Sequence, residues 1–222
     1  MKMRDTDIKH HLPDEVIAAY ATGQLPEAYA LVVATHVSLC DTCRSAVSSF
    51  EAVGGALLED IEAVAVSDAA LEATLALIGN APQEPIAKAP ARPEANGIFP
   101  APLVEYVGSG PEGVNWRPIG GGVKQAILPT AKGATARLLY IPAGKQVPEH
   151  SHNGLELTMV LQGAFSDEVD RFGPGDVEVG DGDLHHQPVA EMGEDCICLA
   201  ATDAPLVFKN LIPKVAQRFI GI

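Results

Sequence analysis

The sequence predicts an α + β chain in two parts: a small bundle of about four helices, then an antiparallel β-barrel of jelly-roll type. Three observations carry this. Residues 1–79 repeat apolar positions at helical spacing, residues 103–222 break into short strands punctuated by Gly and Pro, and a Pro/Ala-rich stretch over 80–102 lies between them. A stretch of that composition reads as a semi-extended linker. Pro13, Asp14 and Glu15 open the first helix with acidic groups in its first turn; Val16, Ile17 and Tyr20 form its apolar face, and Gly23 ends it. The second helix runs from Pro26 and Glu27 to about Leu39, with Ala28, Leu31, Val32, Thr35 and Leu39 at helical spacing. The third opens at Asp41, turns Val47 and Phe50 inward and is weakened by Gly54 and Gly55. Ser67 is expected to cap the fourth, whose inward face is Leu71, Leu75 and Ile78. Helices this short bury little surface, so a staple is expected. In the second part, residues 136–141 and 155–162 and the stretch Cys196 to Leu199 have strand character. Turns are marked by Pro142-Ala143-Gly144, Gly173-Pro174-Gly175 and Asp181-Gly182-Asp183. Strands with turn signals every ~8–12 residues argue for an antiparallel sandwich or barrel.

Composition narrows the function. The 222 residues are 47% hydrophobic and 20% charged, the balance of an ordinary folded chain. Lys and Arg number 15 against 29 Asp and Glu, a formal charge of −14. That excess argues against direct binding of nucleic acid, which needs a basic surface, and against docking on an anionic membrane. The acidity is denser in the helical part, where residues 1–85 hold 4 basic against 13 acidic groups. The polar start from Met1 to Asp7 lacks the apolar run of a secretory signal, and no run approaches ~18 apolar residues. A cytoplasmic chain with reduced thiols is therefore expected.

The stretch from His36 to Cys43 reads H-x3-C-x2-C. His36 and Cys40, four apart, share a helix face, and Cys43 follows one knuckle later. Zinc takes four N/S ligands in a tetrahedron, and two residues between cysteines let both thiolates reach one ion. His10 and His11 are the other histidines of this half, and one of them would complete the set. Two plainer readings are a pair of small buried cysteines and a thioredoxin-like redox pair, but no strand precedes the motif as the latter requires.

From Gly144 to Gly163 the chain reads G-x5-H-x-H-x3-E-x6-G. His150 and His152 point to one side of a strand. Glu156, after a turn at Asn153 and Gly154, is expected to return on the paired strand of the same hairpin. A further ligand is expected from His185 or His186. Such a His/Glu set suits zinc, iron, manganese or nickel. The segment resembles the first motif of the cupin barrels at every fixed position. The second cupin motif, G-x5-P-x-G-x2-H-x3-N, is matched at Gly175 and His186, whereas Asp181, Asp183 and Ala190 replace its Pro, Gly and Asn. That register selects His186 over His185. Cys196 and Cys198 sit two apart on a strand and face one side; they read first as small buried residues and second as an oxidation-sensitive pair facing the barrel interior.

The H-x3-C-x2-C knuckle with an upstream His, and the barrel that follows it, resemble the ChrR-type zinc-binding anti-sigma factors. The likeness extends through 120–130, 154–165 and 196–205. It implies a fourth zinc ligand at the His directly before the first helix, which is His11, and a second metal in the cupin, also zinc. It further implies a non-enzymatic regulator. Its helical domain would bind one group IV (extracytoplasmic-function type) sigma factor one-to-one, and its cupin would sense singlet oxygen and trigger release. An acidic inhibitor would complement the basic surface of a DNA-binding sigma factor. Self-association through the barrel is open. The alternative from another class is a cupin metalloenzyme of oxygenase type with a helical accessory domain.

Overall fold

The computed structural model describes residues 8–81, 97–108, 110–182 and 184–208. The leading residues 1–7, the middle of the expected linker (82–96), Ser109, Asp183 and the end of the chain (209–222) lie outside the described residues. Among the described residues, five α-helices come first: α1 (Asp14–Ala21), α2 (Glu27–Val37), α3 (Asp41–Glu59), α4 (Ala70–Asn80) and α5 (Ala101–Val107). Twelve strands follow: β1 (Arg117–Gly120), β2 (Val123–Ile127), β3 (Thr135–Ile141), β4 (His150–Ser151), β5 (Glu156–Gln162), β6 (Phe165–Ser166), β7 (Arg171–Phe172), β8 (Val177–Gly180), β9 (His185–His186), β10 (Val189–Ala190), β11 (Cys196–Thr202) and β12 (Val207–Phe208). They form a six-stranded sheet in the order β1-β2-β3-β11-β5-β8 and two three-stranded sheets, β10-β6-β7 and β12-β4-β9. Every pairing is antiparallel.

The central strands of the six-stranded sheet, β3, β11 and β5, are buried on both faces, and alternation along them divides the labour. On β11, Ile197, Leu199 and Ala201 join one apolar core with Leu138, Leu157, Met159 and the helices. Cys196 and Cys198 point the other way, into a second core with Val160, Phe165 and Phe172. The helices dock through α2, which packs on β11, β5 and β3. That explains why α2 is buried almost all round, including Tyr29 and Val33, which helical periodicity placed outside its inward stripe. The two halves thus share a core, and part of the staple expected for the small bundle is the sheet itself. Tyr29 adds a polar anchor, its hydroxyl donating to the Leu155 carbonyl at 2.6 Å. Tyr29→Phe is expected to lower unfolding stability by about 1 kcal/mol in urea titration, the net worth of one hydrogen bond with a half-buried acceptor left behind.

Gly54 and Gly55, expected to weaken α3, lie within it, and the helix continues to Glu59. Three local expectations are corrected. Ser67 does not cap α4; Ala69 precedes the helix with no side-chain cap bond. The face of Leu71, Leu75 and Ile78 does not turn inward: these side chains are 69%, 57% and 67% exposed. Their periodicity was real, but its counterpart is not in this chain's described residues. Finally, residues 97–107 are neither linker nor strand. Phe99 is buried, and α5 packs Leu103 and Val104 into the helical core against α2. Pro100 and Pro102, which suggested an extended linker, sit at the helix start, where a missing N–H costs nothing.

Two candidate metal centres

The first cluster forms where α2 gives way to α3. His36 is on the last turn of α2, and Cys40 is the N-cap of α3 in an extended conformation. The Cys43 backbone N–H donates to Cys40 Sγ at 3.4 Å, folding the knuckle back on itself. His11, just before α1, reaches over it: its Nδ1 lies 3.3 Å from Cys40 Sγ and 3.7 Å from Cys43 Sγ. One ligand atom from each of His11, His36, Cys40 and Cys43 lies within 4.8 Å of all the others. Donors ~2.0–2.3 Å from a tetrahedral ion would sit about 3.3–3.8 Å apart, so the two Cys–His distances match a zinc-sized cage. The N-terminus of α3 adds partial positive charge where the thiolates would lie. His36, Cys40 and Cys43 are buried and His11 is exposed. His10, its neighbour in sequence, is turned away: its ring approaches Asp170 at 3.1 Å and Asp176 at 3.4 Å.

The second cluster lies inside the barrel. The register of β4 and β9 sets His150 directly opposite His186. The Nε2 atoms of His150 and His152 lie 3.1 and 3.3 Å from His186 Nε2. Ligand atoms of the three imidazoles fall within 4.8 Å of one another, and all three are buried. His185 is exposed. Glu156 does not come from the same hairpin as the histidines: β4 pairs with β9 and β12, whereas β5 pairs with β11 and β8. The segment between them crosses from one sheet to the other. The Glu156 carboxylate lies 3.8 Å from His152 Nδ1, beside the compact triad and not within it.

Outer hydrogen bonds orient the rings. His150 Nδ1 donates to the Pro148 carbonyl at 2.9 Å, which fixes its tautomer and leaves Nε2 with the lone pair. His186 Nδ1 lies 2.8 Å from Asp167 Oδ2 and 3.0 Å from Glu178 Oε1. Carboxylates behind an imidazole hold the ring and raise its basicity as a ligand. Burial pulls the His150 pKa down to about 4, against the Pro148 bond and the Glu156 charge. Burial, helped by His186, does the same for His152, also to about 4. Burial opposes the charged form of His186 too, but the bonds and charge of Glu178 and Asp167 outweigh it and carry His186 up to about 9. A cation entering the triad therefore displaces a proton from His186.

Asp167 and Glu178 were missed in the sequence. The one trace of Glu178 was an acidic residue between Val177 and Val179 in a strand; Asp167 left none. Asp167→Ala is expected to weaken metal binding in the barrel about 10-fold, read by competition with a chelator. An unchanged affinity would mean that Glu178 alone orients the ring.

A cavity of about 300 Å³ opens on this cluster, lined by His150, Glu156, Glu178 and His186, by Cys198, and otherwise mainly by apolar side chains. Cys196 and Cys198 are buried with their sulfurs 3.5 Å apart. The bond to Cys196, and then burial, push the Cys198 thiol well above its ordinary pKa, so Cys198 rests as a thiol.

The two centres can now be set beside known proteins. Residues 107–205 match the family described as the ChrR cupin-like domain. The anti-sigma-E factor ChrR of Cereibacter sphaeroides is 56% identical over 215 residues, spanning 97% of this chain and 99% of that protein. The crystal structure of Rhodobacter sphaeroides SigE in complex with the anti-sigma ChrR contains a chain 54% identical to this one. It covers 88% of this chain and 99% of that chain, with a TM-score of 0.75. Identity of this level over nearly the whole length covers the helical half as well as the barrel, and this chain belongs to the ChrR family of anti-sigma factors.

Proposed function

We propose that the chain binds and inhibits a group IV sigma factor in a one-to-one complex through its helical part, and releases it when the cupin senses singlet oxygen. The observation that carries the first half is an unclothed apolar surface. The second half of α3 and all of α4 expose Leu57, Leu58, Leu71, Leu75, Leu77 and Ile78, and α4 buries nothing. Apolar area of this extent on one helical region is a binding surface, and the acidic charge around it suits a basic partner. The relative whose structure is known is held in complex with SigE. This family membership also disfavours the oxygenase alternative.

Zinc is the metal we assign to His11, His36, Cys40 and Cys43, because two thiolates and two imidazoles at tetrahedral spacing are its donor set. It would supply a cross-link between the arm before α1, the end of α2 and the start of α3. A second metal, also zinc, is assigned to His150, His152 and His186 with Glu156 beside them. Singlet oxygen adds across imidazole rings without an electron donor, and three rings converge here. Cys198, on the cavity wall, and Cys196 beside it are secondary targets. No helix among the described residues is long and apolar enough to cross a membrane. We place the protein in the cytoplasm, where its partner would work; self-association through the barrel stays open. We divide the labour between residues 1–79 and 103–222, except that α5 (Ala101–Val107) packs with the helices, and the shared core joins the two. Co-expression with the sigma factor encoded beside it, followed by copurification and metal counting, tests the proposal. One partner and two zinc ions per chain are expected; a chain that purifies alone overturns it.

A further inference from the structure

The helical cluster is not built by helices alone. A single stretch of the barrel, Gly173 to Glu178, supports two of its four ligands. The Gly175 carbonyl lies 2.9 Å from His36 Nδ1. A carbonyl can only accept, so Nδ1 carries the proton and Nε2 keeps its lone pair for a metal. The next residue, Asp176, holds the arm that ends in His11. Its Oδ1 accepts from the backbone N–H groups of Lys9 at 2.7 Å and His10 at 2.9 Å. Its Oδ2 accepts from Gly173 N–H at 2.8 Å, which braces the carboxylate from its own turn. Val177 N–H then donates to the His10 carbonyl at 3.2 Å. Asp176 is only 3% exposed, so these bonds are shielded from water. Ile8 closes the contact from above. A Cβ on Gly175 would stand 2.7 Å from Ile8 Cγ1, and φ there is +93°, so both space and backbone demand glycine.

The same stretch ends in the barrel cluster. Glu178, two residues after Asp176, is the carboxylate 3.0 Å from His186 Nδ1. Strand alternation sends Val177 to the helical core and Glu178 to the cavity. Between them runs only strand backbone, held by β5 in the register Met159↔Val177 and Thr158↔Glu178. Packed strands transmit displacement because they cannot compress.

We propose that Gly173–Glu178 is a mechanical connector that makes the metal affinity of the helical cluster depend on the state of the histidine cluster in the barrel. A change at His186 moves Glu178; the strand carries the movement to Asp176 and Gly175; His11 and His36 then lose their positioning. Gly175 and Asp176 are positioning residues for the helical site and touch no metal themselves. The inference rests on the metal reading of that cluster given above, and it adds the route by which the barrel would loosen it.

The test uses the full chain loaded with cobalt(II), in a Cys196→Ala, Cys198→Ala background so that Cys40 and Cys43 are its only thiols. The thiolate-to-cobalt absorption band then reports the helical cluster alone, and its decay in excess chelator is timed. Asp176→Ala and Glu178→Ala are each expected to speed the decay about 10-fold, within the range that outer hydrogen-bond partners exert on metal affinity. The double variant should be no faster than the faster single one, since both cut one route. Glu27→Gln is the control. It weakens another contact between helix and barrel, the bond that Glu27 Oε2 accepts from the Ala131 N–H at 2.5 Å, and should leave the rate unchanged. If Glu178→Ala does not fold, Glu178→Gln keeps its shape and removes its charge. A decay indifferent to position 178, or multiplicative rates in the double variant, overturns the connector alone. Absence of the band in the parent would overturn the metal reading beneath it.

Discussion

Cys40→Ser is expected to leave the chain unable to hold its sigma factor, with transcription from the partner's promoters becoming constitutive. The choice of serine isolates the cause. Cys40 is the N-cap of α3, and its Sγ accepts from the Cys43 N–H. Serine is among the best N-caps, so helix initiation survives and only the thiolate is lost. That loss is large. Structural zinc sites contribute about 10–16 kcal/mol in isolated peptides, comparable with the roughly 5–15 kcal/mol that holds a whole domain folded. Three donors would remain, but the site would forfeit much of its affinity and the first turn of α3 would lose its tie to His11 and His36. The apolar surface on α3 and α4 hangs from that turn. The measurement is zinc per purified chain together with copurification of the sigma factor; zinc should fall by one and the partner should be absent. His36→Ala should behave alike and also strand the Gly175 carbonyl. Retained inhibition after loss of the metal would mean that the helices are held by the barrel alone.

What could be read from the sequence was chemistry at short range. H-x3-C-x2-C fits on one helix end and one knuckle, so three residues at fixed spacing are enough to bring three donors together. His11 and His186 needed the family resemblance or the motif register, because chain folding, not spacing, brings them in. The structure sets His11 beside Cys40 and Cys43 while His10 turns to Asp170 and Asp176, and sets His186 beside His150 and His152 while His185 is exposed. What could not be read was whatever depends on the other half of the chain. The stripe of Leu71, Leu75 and Ile78 is identical in sequence whether it packs within the molecule or against a partner. Tyr29 and Val33 fall outside a single-sided stripe because α2 is covered on one side by helices and on another by the sheet. The strand pairing of the barrel motif escaped for a related reason. A turn at Asn153 and Gly154 suggested a local hairpin, but β4 is satisfied by β9 and β12, distant in sequence. Asp167 and Glu178 serve His186 through long-range contacts alone, and a lone acidic residue carries no spacing to decode.

His150→Ala is expected to separate the two activities: the sigma factor stays bound, and singlet oxygen no longer releases it. His150 supplies one of three converging Nε2 atoms and stands opposite His186 in the β4–β9 pair. Its removal leaves two imidazoles and the nearby Glu156, too few close donors for tight binding. The fold should survive. The strand pairing uses backbone atoms, and the lost side chain borders an existing cavity instead of sealing a dry core. The helical cluster and the α3–α4 surface contain no atom of His150, and the variant keeps the His186–Glu178 contact at the barrel end of the connector, so one zinc and the copurified partner should persist. Glu156→Ala tests the same site more gently. Its carboxylate lies 3.8 Å from His152 and outside the triad, so metal should be weakened and not abolished, with induction reduced in proportion. The two variants together distinguish a sensor from a bystander. If both keep full singlet-oxygen induction while their barrel metal is gone, the triad does not receive the signal. Cys198, on the same cavity wall but away from the metal donors, would then be the residue to replace next. If induction falls in step with barrel metal while sigma binding is untouched, the barrel senses and the helices bind, which is the division of labour that two clusters joined by one strand are built to perform.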